Sequence, residues 1–404
     1  MNRKMRNITH RILLMLLCLT AITASPAPSM RRGDTIRLVP KEQYVSGAQQ
    51  TDKYLPLLES KSVGVVANQT SIIGETHLVD TLLASGINVK RIFTPEHGFR
   101  GAADAGAKVS GGKDEKTGIE IASLYGKTRK PTPEMLQGID VMLFDLQDVG
   151  VRFYTYISTL TYVMEACAEK GIPVVVLDRP NPNGFYVDGP ILKEENKSFV
   201  GMHPVPVVYG MTIGEYGRMV NGEGWMKDGV RCQLTVIPVP NYDRNAIYEL
   251  PVKPSPNLPN WESVYLYPSL CFFEGTIVSV GRGTDQPFQI FGHPDLRGDF
   301  TFTPESKSGA SKPLYEGQRC RGLDLTEFAH SYADNPAQLQ LEWLIDAYQQ
   351  LKEKSFFSNY FPKLSGDKQL QQDIINGKSA TEIRDSWKDE IEAFMEIRGK
   401  YLIY

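Results

Sequence analysis

Hydrophobic positions along this chain come in short, β-branched runs that stop abruptly at polar clusters. Residues 63–67 (VGVVA) run into Asn68-Gln69-Thr70, 89–93 (VKRIF) into Thr94-Pro95-Glu96-His97-Gly98, and 141–144 (VMLF) into Asp145-Leu146-Gln147-Asp148. Residues 174–177 (VVVL) and 234–239 (LTVIPV) do the same before Asp178-Arg179-Pro180-Asn181 and Asn241-Tyr242-Asp243-Arg244. Between these runs, apolar residues at helical spacing predict helices over 76–85, 156–170 and 212–221, with glycine just beyond each at 86, 171 and 222. The alternation predicts an α/β fold, a mostly parallel sheet covered by helices on both faces. In such sheets ligands sit beyond the carboxyl ends of the strands, so the five polar clusters should converge on one crevice.

Two stretches break the pattern. Residues 98–117 are rich in Gly, Ala, Lys and Asp without a hydrophobic period, and read as a long loop, a candidate lid leaving the Glu96 cluster. Residues 251–268 (PVKPSPNLPNWESVYLYP) are so dense in proline that ordered coil is expected there rather than helix or central strand. From about residue 295 the texture turns to polar loops and amphipathic helices, expected over 324–332, 336–352, 367–376 and 380–398. The expected organisation is a catalytic domain over 51–294, after a linker at 25–50, and a smaller helix-rich α+β domain over 295–404 that walls one side of the crevice.

Composition changes this picture in only two places. A chain of 404 residues is long enough for more than one core, and a net charge of −3 gives no bias toward nucleic acid or anionic lipid. The N-terminus differs from the rest: Arg3, Lys4, Arg6 and Arg11 precede an apolar run at 12–19 and small residues at 20–25. This reads as a secretory signal peptide, residues 1–24, too short to span a bilayer, so the mature chain is expected in the periplasm or outside the cell with no membrane span. Leu17 before Cys18 is too bulky for a lipoprotein cleavage box. The remaining Cys167, Cys232, Cys271 and Cys320 are far apart in mostly apolar surroundings, and read as buried thiols rather than a disulfide framework. There is no paired Cys/His spacing and no HExxH, so no metal is assigned, and no GxGxxG follows the first strand, so the sheet does not imply a dinucleotide or another cofactor.

The candidate chemistry lies in the clusters. Glu96, between Pro95 and His97 and followed by glycines at 98 and 101, has a rigid base and a flexible exit, as a general acid requires; a pairing with Arg100 is the structural alternative. Asp145 and Asp148 add carboxylates, and Arg152, Tyr154 and Tyr156 add a cation and two phenols. Carboxylates gathered at strand ends suit glycoside or phosphoryl chemistry, an oxygen-ligated cation, or a loop-fixing network. Arg179 and Asn181 in DRPNPNG offer a planar fork and an amide for a sugar, and Asn257 sits on stiff backbone. Arg282 and Asp285 in GRGTD follow an alternating apolar stretch, and Asn68 closes the first strand. Tyr125, Tyr154, Tyr156, Tyr209, Tyr242, Trp261 and Tyr265 supply aromatic faces for sugar stacking or for the core.

Taken in order, GVVANQTS, IFTPEHGFRG, SLYG, DVMLFDLQDVGVRFYTY, VLDRPNPNG, PSPNLPNW and FEGT…VGRGTDQPF resemble the NamZ-type exo-β-N-acetylmuramidases of bacterial cell-wall recycling. The resemblance runs from about residue 63 to 293. It implies a Rossmann-like catalytic domain with a C-terminal auxiliary domain, removal of terminal N-acetylmuramic acid from the non-reducing end of peptidoglycan fragments, and a catalytic acid at Glu96. His97, Asp145 and Asp148 stay open as a second catalytic group. The substrate carries a lactyl carboxylate, which Arg152, Arg179 or Arg282 could read. Two other classes remain: a metal-dependent hydrolase or deacetylase of cell-wall glycans built on Asp145, Asp148 and His97, and a non-catalytic exported muropeptide-binding protein.

Overall fold

Each expected strand forms where its β-branched run lies. The computed structural model describes residues 36–96, 98–99 and 112–404; the expected signal peptide, Cys18, His97, Arg100 and residues 101–111 of the candidate lid lie outside them. One seven-stranded sheet has the order Leu234–Ile237, Val174–Leu177, Val141–Asp145, Ser62–Ala67, Asn88–Thr94, Glu120–Ser123, Gly112–Lys113. All its pairs are parallel except the last. Numbered along the chain, the parallel strands lie in the order 6-5-4-1-2-3, a doubly wound Rossmann arrangement. The winding reverses between Ser62–Ala67 and Val141–Asp145, so a crevice opens beyond Ala67 and Asp145.

Successive strand residues point to opposite faces, and here both faces are covered. Val66, Met142, Phe144, Val174 and Val176 belong to one apolar cluster with Ile157, Leu160 and Met164 of the helix Tyr156–Ala168. Their neighbours Val65, Val141, Leu143, Val175 and Leu177 join the other cluster, under the helices Thr51–Leu58 and Leu78–Ala84. The first cluster does not stop at residue 295; it continues through Leu344, Phe361, Ile374 and Phe394.

Asp178 ties sheet to helix. Its carboxylate accepts from Thr212 Oγ1, the Gly214 N–H and Tyr404 Oη, so it caps the helix Ile213–Glu223 and holds the C-terminal residue. Residues ahead of the catalytic sheet are packed as well: Arg37–Val39 pairs in parallel with Ala246–Tyr248.

Two expectations about helices are corrected. The proline-rich segment is coil only to Asn260; from there Trp261–Leu270 is helical, because the Asn260 side chain accepts the Ser263 N–H in a capping box and Pro268 falls in the last turn. The helix expected over 380–398 is two, Ala380–Ser386 and Lys388–Gly399, broken at Trp387, whose indole N–H donates to the buried Asp188. The C-terminal part also carries a three-stranded antiparallel sheet, in the order Ile290–His293, Cys320–Asp324, Phe300–Phe302. Cys167, Cys232, Cys271 and Cys320 are free and buried.

Arg152 joins the two parts of the chain. It is fully buried, and its guanidinium donates to the carbonyls of Pro190 and Val205 at 2.8 and 2.6 Å and of Leu364 and Ser365 at 3.2 and 2.5 Å. The last two belong to the helix Phe361–Ser365, and Gly366 behind it has φ +73 with no space for a Cβ, which would lie 2.3 Å from Arg152 Nη2. Arg152→Leu takes a donor from four buried carbonyls, of which that of Val205 keeps the Leu192 N–H, and is expected to lower stability by on the order of 3–5 kcal/mol. Gly366→Ala should cost about 1–3 kcal/mol through left-handed strain and displacement of the guanidinium. Urea denaturation measures both, and wild-type midpoints would dismiss the joint.

Candidate active site

The loop leaving strand Asn88–Thr94 brings Glu96 to the wall of a cleft of about 340 Å³, within the rough 300–1,000 Å³ of ligand pockets. Tyr125, from the loop after Glu120–Ser123, also lines it and donates its hydroxyl to Glu96; burial first, then the Glu96 charge, push that phenol upward. Phe153, Tyr154 and Tyr156 come from the segment after Val141–Asp145, and Ser255 from the proline-rich coil. The far side is C-terminal: Tyr267, Cys271, Glu274 and Arg282, then Tyr360 and Leu364 of the element Arg152 holds.

The phenols are fixed. Asn68, wholly buried, donates its Nδ2–H to Tyr156 Oη at 2.8 Å while its Oδ1 accepts from Thr70. Tyr154 donates to the Pro254 carbonyl at 2.8 Å, and its ring meets Tyr156 edge-on at 4.8 Å. Burial, then Cys271, Glu274 and Glu96, push the Tyr360 hydroxyl up to about 12, so it stays protonated and can donate. Two cations share the space. Arg282 Nε–H donates to Glu274 at 2.6 Å; Arg129 lies 4.4 Å over the Phe199 ring, and no carboxylate among the described residues pairs with it.

Of the residues singled out from sequence, Glu96, Tyr125, Tyr154, Tyr156 and Arg282 meet in this cleft. The others lie elsewhere. Arg152 is the joint described above. Asp145 and Arg179 form a buried bidentate pair, Nε to Oδ1 at 2.6 Å and Nη2 to Oδ2 at 2.9 Å, linking neighbouring strand ends. Asn181 donates to the Met211 carbonyl and accepts the Asn183 N–H; Asn257 donates to the Gly309 carbonyl. Asp285 is exposed and pairs with Lys307 at 2.6 Å. Glu274, Arg129 and Tyr360 were not singled out: each lies in irregular chain or at a short helix start, where hydrophobic period carries no signal, and only the FEGT motif touches one of them.

Asp148 is a special case. It is buried, and its Oδ2 accepts from Tyr209 Oη and from the Gly150 N–H at 2.8 Å. Burial pushes its carboxyl up to about 7 against the lowering effect of those donors, and Oδ1 has no protein partner.

The comparisons with known proteins agree with this architecture. The family described as "Exo-beta-N-acetylmuramidase NamZ, N-terminal" matches residues 63–262, and its C-terminal counterpart matches 265–404. The chain belongs to the NamZ family. It is 38% identical to the peptidoglycan β-N-acetylmuramidase NamZ of Bacillus subtilis (strain 168), over 99% of this chain and 100% of that protein. Two crystal structures of DUF1343 family proteins from Bacteroides fragilis NCTC 9343 share the fold, with TM-scores of 0.81 and 0.76 at 44% and 27% identity. Each match covers 89% of this chain and 98% of the other. As a NamZ protein the chain is a glycosidase.

The Asp148 environment gives a pH prediction. Its folded value, about 7, lies above the roughly 3.9 of a free Asp, so the folded protein binds more protons between those limits. Its stabilising contribution is complete below about pH 4 and is lost as pH rises through about 7, with a slope near 1.4 kcal/mol per unit. Asp148→Asn, which mimics the neutral acid, should flatten this part of the stability–pH curve. Identical slopes for both proteins would refute the assignment.

Proposed function

We propose that this NamZ protein is an exo-β-N-acetylmuramidase that releases terminal N-acetylmuramic acid from the non-reducing end of peptidoglycan glycan fragments, with Glu96 as general acid. The observation that carries the reading is the placement of Glu96, hydrogen-bonded by Tyr125, in a small cleft walled by phenols and two arginines. Aromatic faces and fixed hydroxyls suit a pyranose ring, and a carboxylic acid at the wall can protonate the departing glycosidic oxygen. The name of the Bacillus relative supports the same substrate. The basic, apolar and small-residue order of residues 1–24 supports export toward the cell wall, where that substrate lies.

The lactyl carboxylate of muramic acid needs a cation. Arg152 and Arg179 are committed to carbonyls and to Asp145, and Arg282 to Glu274. Arg129, stacked on Phe199 at the cleft, keeps its charge available. It is our choice for the group that distinguishes muramic acid from N-acetylglucosamine.

Glu96→Gln is expected to lower kcat/KM on a muramyl-glucosamine disaccharide by about 10²–10⁴-fold with thermal unfolding unchanged. Retained turnover in that variant removes the acid role, and no muramic acid release by the wild type removes the activity. Arg129→Ala should cut the preference for muramic acid over N-acetylglucosamine at the non-reducing end by roughly tenfold, the worth of one charged hydrogen bond. A preference that stays intact assigns the carboxylate to another residue.

A further inference from the structure

The cleft holds a second carboxylate that no strand end announced. Glu274 lies in the 3-10 turn Cys271–Gly275 and lines the same space as Glu96. Its backbone is locked to the segment that carries Tyr360 and Leu364: the Gly275 carbonyl accepts the Ser358 N–H at 2.9 Å, and a Cβ on Gly275 would come within 2.6 Å of Phe361 Cα. Its counter-charge is equally fixed. Arg282 donates to Glu274 at 2.6 Å and lies 5.0 Å over the Phe288 ring. The flanking Gly281 and Gly283 have φ +76 and +82, and a Cβ on either would strike Ile290 or the Glu305 carbonyl. Tyr360 feels the charge of both Glu96 and Glu274, so the two carboxylates act on one volume.

We propose that Glu274 is the anionic carboxylate of the reaction, set against the positive charge that develops at the anomeric carbon while Glu96 protonates the departing oxygen. The proposal rests on the glycosidase reading above. An oxocarbenium-like transition state needs one protonated and one ionised group, and the Arg282 guanidinium, 2.6 Å from Glu274, stands beside it as a fixed counter-charge. A pair that merely tied residues 274–282 together would have no need of the cleft, yet both members line it. In the step itself, the electron pair of the broken C–O bond leaves with the aglycone oxygen, which takes the proton of Glu96. Water then adds to the anomeric carbon and returns a proton to Glu96, so Glu274 ends the turnover ionised as it began.

The roles separate by leaving group. A nitrophenolate departs without a proton, so Glu96→Gln should lose about 10²-fold or more on the disaccharide but far less on a 4-nitrophenyl β-N-acetylmuraminide. Glu274→Gln should lose about 10²-fold or more in kcat on both substrates, with KM within a few-fold and thermal unfolding unchanged. Gln keeps the volume and still accepts the Arg282 N–H, so a purely structural pair tolerates it; near wild-type kcat on both substrates overturns the proposal. If that variant does not fold, Glu274→Ala is assayed with added azide or formate. Recovery of rate by the small anion supports the role, and none in a folded Glu274→Ala overturns it. Wild-type protein that cleaves neither substrate overturns the glycosidase reading and this proposal with it, an outcome distinct from failure of Glu274 alone.

Discussion

The cleft exists because one buried cation bridges two regions of chain far apart in sequence. Arg152, just past the central strand Val141–Asp145, holds the carbonyls of Leu364 and Ser365, and so holds Tyr360 and Leu364 over the sheet's carboxyl edge. Burial lowers its guanidinium to about 9 against the raising effect of Tyr216 and Asp367, the mark of a charge taken out of water and hydrogen-bonded by the carbonyls around it. Four carbonyl acceptors meet the geometry of a planar fork, which an ammonium could not match from one position. Without this joint the Rossmann half would still present Glu96, but to an open edge.

From that constraint follows a division between frame and chemistry. The Asp145–Arg179 pair at the topological switch point, and the Asp178 cap and Asn181 turn at the next strand end, are all consumed in holding neighbouring strands and helices together. The groups that line the cleft are instead Glu96, Tyr125 and residues of the segments 267–282 and 360–364. Asn68 and Tyr156 connect the two sets, since a fully buried amide orients a phenol that reaches the cleft. The polar residues at the strand ends therefore make the site stiff, and the loops make it reactive.

Much of the frame was legible in the chain. The β-branched runs located the strands, and the motif containing Glu96 pointed to the residue that the cleft presents. Charge and polarity were less informative about role. Arg152, Arg179 and Arg282 look alike in sequence, yet one bridges carbonyls, one neutralises a buried Asp and one faces a cleft Glu. Glu274 and Arg129 escaped notice because neither follows a strand, and no local pattern marks a residue whose partners lie far away along the chain.

By itself, the sequence determined what local physics can enforce. Alternating burial of β-branched residues built a doubly covered parallel sheet, capping by Asn260 and Thr212 started helices, and the ordered motifs carried the family. Tertiary structure alone decided which polar groups would be buried partners and which would be reagents. That choice depends on distances between segments such as 274–282 and 360–364 and the sheet edge. Those distances are set by packing across a shared core, and spacing along the chain does not contain them.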